Sequence, residues 1–207
     1  FLALAWGAIY AGLQYTAISS RLTAEEISYI VNDCGAKVFV TSPYKAEAAA
    51  DLLTSTAQVE ARFSVGGPLA GHAPFEDAVA AQSADVPDDA VEGQDMLYSS
   101  GTTGRPKGVK MPISGRPLGS PTAVSLMTEM LFGAKTDTVY LSPAPLYHAA
   151  PLRFCLGYHR MGCTVVAMEK FDPEESLAAI DRHQVSGSQW VPTMFVRMLK
   201  LPDEGRK

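Results

Sequence analysis

At 207 residues, the chain is long enough for one large domain or two small ones. Hydrophobic residues make up 47% of it and charged residues 19%, which predicts a sizeable buried core and argues against disorder. The formal net charge of -5, without any run of basic residues, argues against a general nucleic-acid binder.

The cysteines and the apolar start of the chain bear on where the protein works. Cys34, Cys155 and Cys163 have neither metal-binding nor redox spacing, which predicts reduced and mostly buried thiols. Residues 1–13 are almost wholly apolar, but polar residues follow before the roughly 20 apolar residues that a membrane span requires. The start also lacks the basic residues of a signal peptide. We therefore expect a cytoplasmic protein without a transmembrane segment, and leave peripheral association with a membrane open.

In the first part of the chain, helical and strand patterns alternate. The clearest helix start is a capping box at Thr23-Ala-Glu-Glu, where a threonine and a glutamate can cap the helix reciprocally. Residues 66–93 are rich in Gly, Pro, Ala and Asp and predict a linker or surface excursion. The predicted elements are, in order, a helix over 1–12, a strand over 15–18, a helix from 23 to 35, a strand over 37–41, a helix over 43–53, a strand over 59–65 and a short helix over 75–82.

The second part of the chain continues the alternation. Its predicted elements are a strand over 95–98, a helix over 123–132, strands over 138–141 and 163–168 with a helix over 151–161 between them, a helix from 172 to 183, a strand over 186–190 and a helix over 193–199. Strands alternating with helices predict an α/β fold of parallel sheets with crossover helices. We divide it into a first α/β portion, 1–93, and a second portion, 94–207, that holds both motifs described next.

The most informative segment is a turn rich in glycine and hydroxyl side chains that follows the strand over 95–98. Glycines let the backbone approach a ligand closely, and consecutive N–H groups in such a turn can bind an anion. Hydroxyls add uncharged donors, and a lysine adds a mobile ammonium group. A polyphosphate makes the best use of this set. The candidate phosphate-binding residues are Ser99, Ser100, Gly101, Thr102, Thr103, Gly104 and Lys107.

This turn differs from the phosphate loops of other nucleotide-binding folds. The NTPase P-loop needs a glycine, four residues and then Gly-Lys-Ser/Thr, which neither Gly101 nor Gly104 begins. The dinucleotide fingerprint and the nucleophile elbow of the α/β-hydrolases are absent here as well. Read without context, the segment could also be an ordinary surface turn.

A second motif, residues 141–151, follows the strand over 138–141. It places Tyr147 and His148 beyond the carboxyl end of that strand, where open parallel sheets bind ligands. Three prolines stiffen the loop. A histidine there can orient a carboxylate, but a single histidine after a strand is more often structural, so this motif is weak by itself. The remaining histidines, His72, His159 and His183, are interpreted as structural.

Residues 100–108 match, without a gap, the Ser/Thr-Gly-Thr-Thr-Gly-x-Pro-Lys-Gly signature of the adenylate-forming (AMP-binding) superfamily, which the chain therefore resembles. That superfamily contains acyl-CoA synthetases, luciferases and the adenylation domains of peptide synthetases. Its members carry a Pro-(apolar/aromatic)-(aromatic/His)-His segment at a similar distance past the loop, as residues 145–148 do. The flanks, including 1–42 and 171–201, resemble the fatty-acyl-CoA synthetase branch.

The resemblance implies a ligase that joins a carboxylate to ATP and passes the acyl group to coenzyme A. Developing charge on pyrophosphate makes electrostatic stabilisation the main task. By this resemblance Lys107 and His148 are the catalytic candidates, and Tyr147 and His148 border the acyl site. Mg²⁺ would share the phosphate charge, with Ser99 as a candidate metal contact. Leu152 and Phe154 are candidates either for the acyl-tail pocket or for the core.

Departures from the family pattern limit the class of carboxylic acid that we expect as substrate. Adenylation domains for amino acids typically have Phe-Asp-x-Ser where residues 146–149 read Leu-Tyr-His-Ala, so an apolar acid is favoured. The Ser/Thr-His-Arg that often follows the lysine-glycine turn is replaced by residues 110–116, which leaves the role of Arg116 open.

The later family motifs do not occur in the sequence, which predicts part of an N-terminal domain without its C-terminal domain, inactive by itself. An amino- or aryl-acid adenylation domain and a non-catalytic nucleotide-binding fragment stay as alternatives. Homodimerisation and acyl chain length also stay open.

Overall fold

A computed structural model describes residues 1–85, 90–99 and 105–202 of the chain. The α-helices are Leu2–Tyr10 (α1), Ala24–Asp33 (α2), Ala46–Ser55 (α3), Phe75–Ala80 (α4), Ala123–Phe132 (α5), Ala149–Arg160 (α6), Pro173–His183 (α7) and Pro192–Leu199 (α8), with a 3₁₀ turn over Pro43–Lys45. The strands are Gln14–Tyr15 (β1), Val38–Thr41 (β2), Ala61–Ser64 (β3), Ala73–Pro74 (β4), Gln94–Ser99 (β5), Lys107–Lys110 (β6), Val139–Ser142 (β7), Thr164–Ala167 (β8) and Gly187–Ser188 (β9).

Local capping chemistry explains several helix ends. The capping box of α2 forms as predicted: the Glu26 N–H donates to Thr23 Oγ1 at 3.3 Å, and the Thr23 N–H donates to Glu26 Oε2 at 2.8 Å. At the start of α7, the Asp172 side chain accepts from the Glu175 N–H at 3.0 Å. After α1, Gly12 takes the left-handed conformation, with φ of 67°. These ends are therefore set by residues close in sequence.

By compactness the chain divides into two units, which we describe separately. The hairpin unit is Ala8–Gly115, and the His148 unit combines Phe1–Gly7 with Arg116–Lys207. The division into portions 1–93 and 94–207 was made from motifs rather than from compactness, and it stays a prediction.

The hairpin unit holds two three-stranded sheets. In one, β1 pairs in parallel with β5, and β5 pairs antiparallel with β6. In the other, β2, β3 and β4 are parallel neighbours. Helices α2 and α3 bury an apolar cluster formed by Ile27, Val31, Leu52 and Val59.

Gly93, directly before β5, lies in close contact with the backbone that follows α1. Its N–H donates to the carbonyl of Ile9 at 2.8 Å. A Cβ atom at this position would lie 2.6 Å from the Ala8 carbonyl oxygen and closer still to that of Leu13. Only glycine fits this approach between two backbones, which places β5 beside β1.

The His148 unit contains a parallel sheet with β7 in the centre, between β8 and β9. Helix α6 connects β7 to β8, and α7 connects β8 to β9. Tyr140 of β7 stacks on Tyr158 of α6, with ring centroids 4.2 Å apart and planes 14° apart. With Cys155 and Cys163, these rings form a buried cluster. Aromatic stacking between sheet and helix is therefore part of the core of this unit, beside completely buried aliphatic residues such as Leu141 and Leu152.

The predicted α/β fold class is confirmed, and the predicted crossover helices are present. Two short strands, β4 and β6, were not predicted, because two to four residues are too few to show a period. The β6 strand adds an antiparallel pair to a fold predicted from parallel pairs alone. Among the described residues, no helix is both long and apolar enough to cross a bilayer.

Candidate functional site

The strand before the glycine-threonine turn is buried, and its last residue is exposed. Met96 and Leu97 of β5 are 7% and 6% exposed, whereas Ser99 at its end is exposed. The predicted contact residues Ser100, Gly101, Thr102, Thr103 and Gly104 lie outside the described residues. The structure therefore describes the two arms of this hairpin, β5 and β6, up to Ser99 and from Arg105 onward.

Ser99 and Lys107 are brought together by the register of the hairpin. They are direct partners across the antiparallel pair, and the Ser99 hydroxyl donates to the Lys107 carbonyl at 3.5 Å. Directly opposed residues in such a pair share one face of the sheet, with Cβ atoms about 5 Å apart. The Lys107 side chain is exposed. One hydroxyl and one ammonium group thus occupy the same face at the ends of the two arms.

Tyr147 and His148 are the second pair that the structure brings together. They follow β7 through a loop that contains Pro143 and Pro145, and their rings lie 4.2 Å apart between centroids. His148 is the N-cap residue of α6, and its side chain makes no capping hydrogen bond. Its ring is exposed, while Tyr147 is half-buried. The imidazole nitrogens of His148 are therefore not used to cap the helix that it starts.

Two candidate pocket residues, Leu152 and Phe154, belong to the core instead. Leu152 is completely buried in α6. Phe154 packs against the buried cluster of the His148 unit and stacks on Tyr140, with centroids 6.4 Å apart. Of the two roles left open by the sequence, the structure thus favours the core role.

Of the other histidines, His159 and His72 have partners in the structure. The Trp6 indole N–H donates to His159 Nδ1 at 3.0 Å, and burial lowers the pKa of His159 below its ordinary value. His72 Nδ1 lies 3.0 Å from the Ala70 carbonyl. His183 is in the last turn of α7, where a basic residue suits the helix dipole. Across the described ranges, no group of three or more His, Cys, Asp or Glu side chains is arranged to hold a metal ion.

The cysteines are characterised by their burial and their protonation rather than by any catalytic arrangement. All three are free, and Cys155 and Cys163 are buried. Burial raises the pKa of both thiols, which keeps them protonated and unreactive. The thiols are mostly buried, as predicted, with Cys34 half-buried.

Comparison with known proteins places this chain in a family. The sequence matches the AMP-binding enzyme family over residues 1–207. The chain belongs to that family. The resemblance found in the phosphate-binding signature is thus confirmed at family level, over the whole chain rather than over one motif.

Curated relatives of this AMP-binding chain differ in the acids that they are named for. It is 31% identical to a feruloyl-CoA synthase of Amycolatopsis sp, over 93% of the chain and 36% of that relative. It is 28% identical to the long-chain-fatty-acid–CoA ligase FadD13 of Mycobacterium tuberculosis, over 98% and 39%. It is 29% identical to 4-coumarate–CoA ligase 3 of Oryza sativa subsp. japonica, over 95% and 35%. The chain therefore spans little more than a third of the length of these relatives.

Solved structures agree on the fold. The N-terminal domain of FACL13 from Mycobacterium tuberculosis, bound to an inhibitor, matches with a TM-score of 0.80 and 25% identity, over 99% of this chain and 50% of that one. ATP-bound MatB from Rhodopseudomonas palustris matches with a TM-score of 0.74 and 26% identity, over 97% and 39%. The fold is thus that of N-terminal domains of adenylate-forming enzymes.

Proposed function

We propose that this AMP-binding chain takes part in the ATP-dependent conversion of an apolar carboxylic acid, with a fatty acid as first candidate, to an acyl-CoA thioester. A carboxylate oxygen attacks the α-phosphorus of ATP, and pyrophosphate leaves as the acyl adenylate forms. The sulfur of coenzyme A then attacks the acyl carbon, loses its proton, and displaces AMP. In this proposal ATP and coenzyme A are substrates.

The observation that carries the proposal is the pairing of Ser99 with Lys107 at the ends of the two hairpin arms. The Lys107 ammonium is exposed on the face that it shares with the Ser99 hydroxyl, so it can contact the phosphates of ATP. A charge-assisted hydrogen bond contributes about 1.5–3 kcal/mol. We assign Ser99 to Gly104 and Lys107 to the β- and γ-phosphates. Stabilising the charge that develops on pyrophosphate would lower the barrier to adenylation.

Mg²⁺ fits the described residues poorly as a protein-held ion. Magnesium prefers carboxylate and phosphate oxygens and keeps several waters. Ser99 offers one exposed hydroxyl, and no cluster of metal ligands occurs in the part of the chain that the structure describes. We therefore propose that Mg²⁺ arrives with ATP, held by its phosphates, and we assign it no step.

For the acid, we propose that His148 and Tyr147 border its carboxylate. His148 is exposed at the amino end of α6, where helix N–H groups favour a negative charge. An imidazole nitrogen free of capping can donate a hydrogen bond to that carboxylate. The proline-containing loop limits the conformations of both side chains, so less ordering is needed on binding.

An aryl acid is the second candidate, and the relatives named for feruloyl-CoA and 4-coumarate support it. Ferulate and coumarate carry the same carboxylate as a fatty acid, so the phosphate-loop and His148 assignments would be unchanged. An amino-acid substrate is a weaker alternative, because Leu146 to Ala149 supplies no acidic side chain for an amino group. A nucleotide-binding protein without catalysis is the remaining alternative.

The test uses the 207-residue chain and a chimera in which the remaining sequence of the Mycobacterium tuberculosis ligase is joined to it. ATP–pyrophosphate exchange and acyl-CoA formation are measured with palmitate, ferulate, 4-coumarate and a mixture of amino acids. We expect the chimera to be active with palmitate and the 207-residue chain to be inactive. Preference for ferulate or coumarate would replace the fatty acid with an aryl acid. ATP binding by a well-folded chimera without exchange for any acid would overturn the catalytic proposal.

A further inference from the structure

Helix α2 presents two polar side chains toward the hairpin of the same unit. Tyr29 and Asp33 are four residues apart and so lie on one face of the helix. The Tyr98 hydroxyl donates to Asp33 Oδ2 at 2.5 Å. Tyr98 is in β5, one residue before Ser99. One contact from α2 is therefore made next to the last described residue of the first arm.

The second arm is held from the same helix. The Tyr29 hydroxyl donates to the carbonyl of Pro106 at 3.2 Å. The Arg105 guanidinium carbon lies over the Tyr29 ring, 5.3 Å from its centroid. Pro106 directly precedes Lys107. Tyr29 thus anchors the backbone next to the proposed phosphate-binding lysine.

Gly108 allows the Tyr98 ring to lie across the strand pair. Tyr98 and Gly108 are direct partners in the register, and a Cβ atom at Gly108 would lie 2.8 Å from Tyr98 Cζ. Two effects raise the pKa of Tyr98 well above its ordinary value: burial, which is the larger, and the hydrogen bond to Asp33. The hydroxyl therefore stays protonated at neutral pH and remains a hydrogen-bond donor.

We propose that Tyr29, Asp33 and Tyr98, which we call the α2 clamp, are positioning residues that hold both arms of the hairpin at the spacing required to bind a triphosphate. The inference rests on the proposed function, since it assumes that the phosphate-binding signature binds phosphate. Fixing both arms beforehand reduces the conformational entropy lost on binding, so the clamp raises affinity without contacting the ligand.

The first experiment measures binding of ATP and of inorganic tripolyphosphate to the 207-residue chain by calorimetry. Tyr98→Phe and Tyr29→Phe each remove one hydroxyl, and we expect about fivefold to tenfold weaker binding of both ligands. Asp33→Ala should weaken binding similarly, whereas Asp33→Asn keeps an acceptor oxygen and should retain most of the affinity. Tyr44→Phe is the matched control, because Tyr44 is 81% exposed in the same unit.

Two further readouts separate positioning from charge and from global stability. Lys107→Ala removes a charge and should flatten the salt dependence of tripolyphosphate binding, whereas Tyr29→Phe and Tyr98→Phe leave the charge unchanged and should weaken binding at every salt concentration by the same factor. Hydrogen exchange should become faster in β6 of the clamp variants and stay unchanged in β2 and β3. Faster exchange throughout the unit, with affinity unchanged, would mean that the contacts are merely structural and would overturn the clamp.

Double variants test which clamp residues act through the same hydrogen bond. Tyr98→Phe combined with Asp33→Ala should cost no more affinity than either change alone, since both break one bond. Tyr98→Phe combined with Tyr29→Phe should multiply the two losses, since they release different arms. If the unsubstituted chain binds neither ATP nor tripolyphosphate, the proposed phosphate site is wrong and the clamp with it. If the unsubstituted chain binds both ligands and every clamp variant binds them with unchanged affinity, only the clamp is wrong.

Discussion

The two units hold their candidate site residues by different means. In the hairpin unit, Ser99 and Lys107 are at strand ends, and their neighbours Tyr98 and Pro106 are held by polar contacts from α2. In the His148 unit, the site loop enters a helix whose buried side packs on the sheet through stacked rings. The geometry of a site held by hydrogen bonds can be lost when a single polar atom is removed. The geometry of a site supported by packing is lost when the volume of a buried side chain changes.

The largest effect is expected from a core cavity in the His148 unit. Leu152→Ala removes a completely buried side chain of α6 and should lower the free energy of unfolding by about 3 kcal/mol, measured by urea denaturation. Leu131→Ala, at a residue that is 72% exposed in the same unit, should change it by less than about 0.5 kcal/mol. Equal losses for the two variants would contradict the view that packing supports this site.

A loss of activity rather than of stability is expected in the hairpin unit. In the active chimera, Lys107→Ala should reduce the rate of ATP–pyrophosphate exchange about 100-fold, because a charge that stabilises the leaving pyrophosphate is lost. Lys110→Ala is the matched control, since Lys110 is an exposed lysine of the same strand with its side chain on the opposite face. An unchanged rate for Lys107→Ala would remove this residue from its proposed role.

A moderate loss of stability is expected from adding a methyl group at Gly108. Gly108→Ala places a methyl group 2.5 Å from Met96 Cε and 2.8 Å from Tyr98 Cζ, and should cost about 1–3 kcal/mol of stability, measured by thermal unfolding. Gly7→Ala has no atom within 4 Å to collide with and lies inside α1, so it should stabilise the helix by up to about 1 kcal/mol. Tolerance of alanine at Gly108 would show that the Met96 and Tyr98 side chains can both move away without cost.

A smaller effect is expected inside the aromatic stack. The Tyr140 hydroxyl is buried and has no hydrogen-bond partner among the described residues. Tyr140→Phe keeps the stack and should raise stability by up to about 1 kcal/mol. Tyr140→Leu removes the stacking partner of Tyr158 and should lower stability, which denaturant titration of both variants would compare. Destabilisation by the phenylalanine variant would indicate that the hydroxyl is satisfied.

The smallest effect is a pH dependence at the capping box of α2. Hydrogen bonds from the Thr23 backbone and side chain lower the pKa of Glu26 below its ordinary value. This contribution is present above the pKa of the unfolded chain and is lost as the pH falls through the folded value. Glu26→Gln should therefore lower the melting temperature slightly at pH 7, and the difference should disappear toward pH 3. A difference independent of pH would exclude the carboxylate as its cause.

Sequence reasoning was most successful where neighbouring residues decide the structure. Helix α5 has the predicted bounds, and the predicted capping box at Thr23 forms. Sequence reasoning also placed the phosphate-binding signature after a buried strand, and the family match confirms the resemblance. Its assignments for individual site residues, including Ser99 and His148, remain predictions.

Local sequence determined most helices and the capping box of α2, because each depends on residues within one or two turns of each other, and the order of the whole sequence determined the family. Tertiary structure alone decided that Lys107 lies opposite Ser99, that Leu152 and Phe154 belong to the core, and that α2 contacts both hairpin arms. The bond from Tyr98 to Asp33 joins residues 65 positions apart. No period or spacing in a sequence reports such a pairing, because it forms only when distant segments have already been packed together.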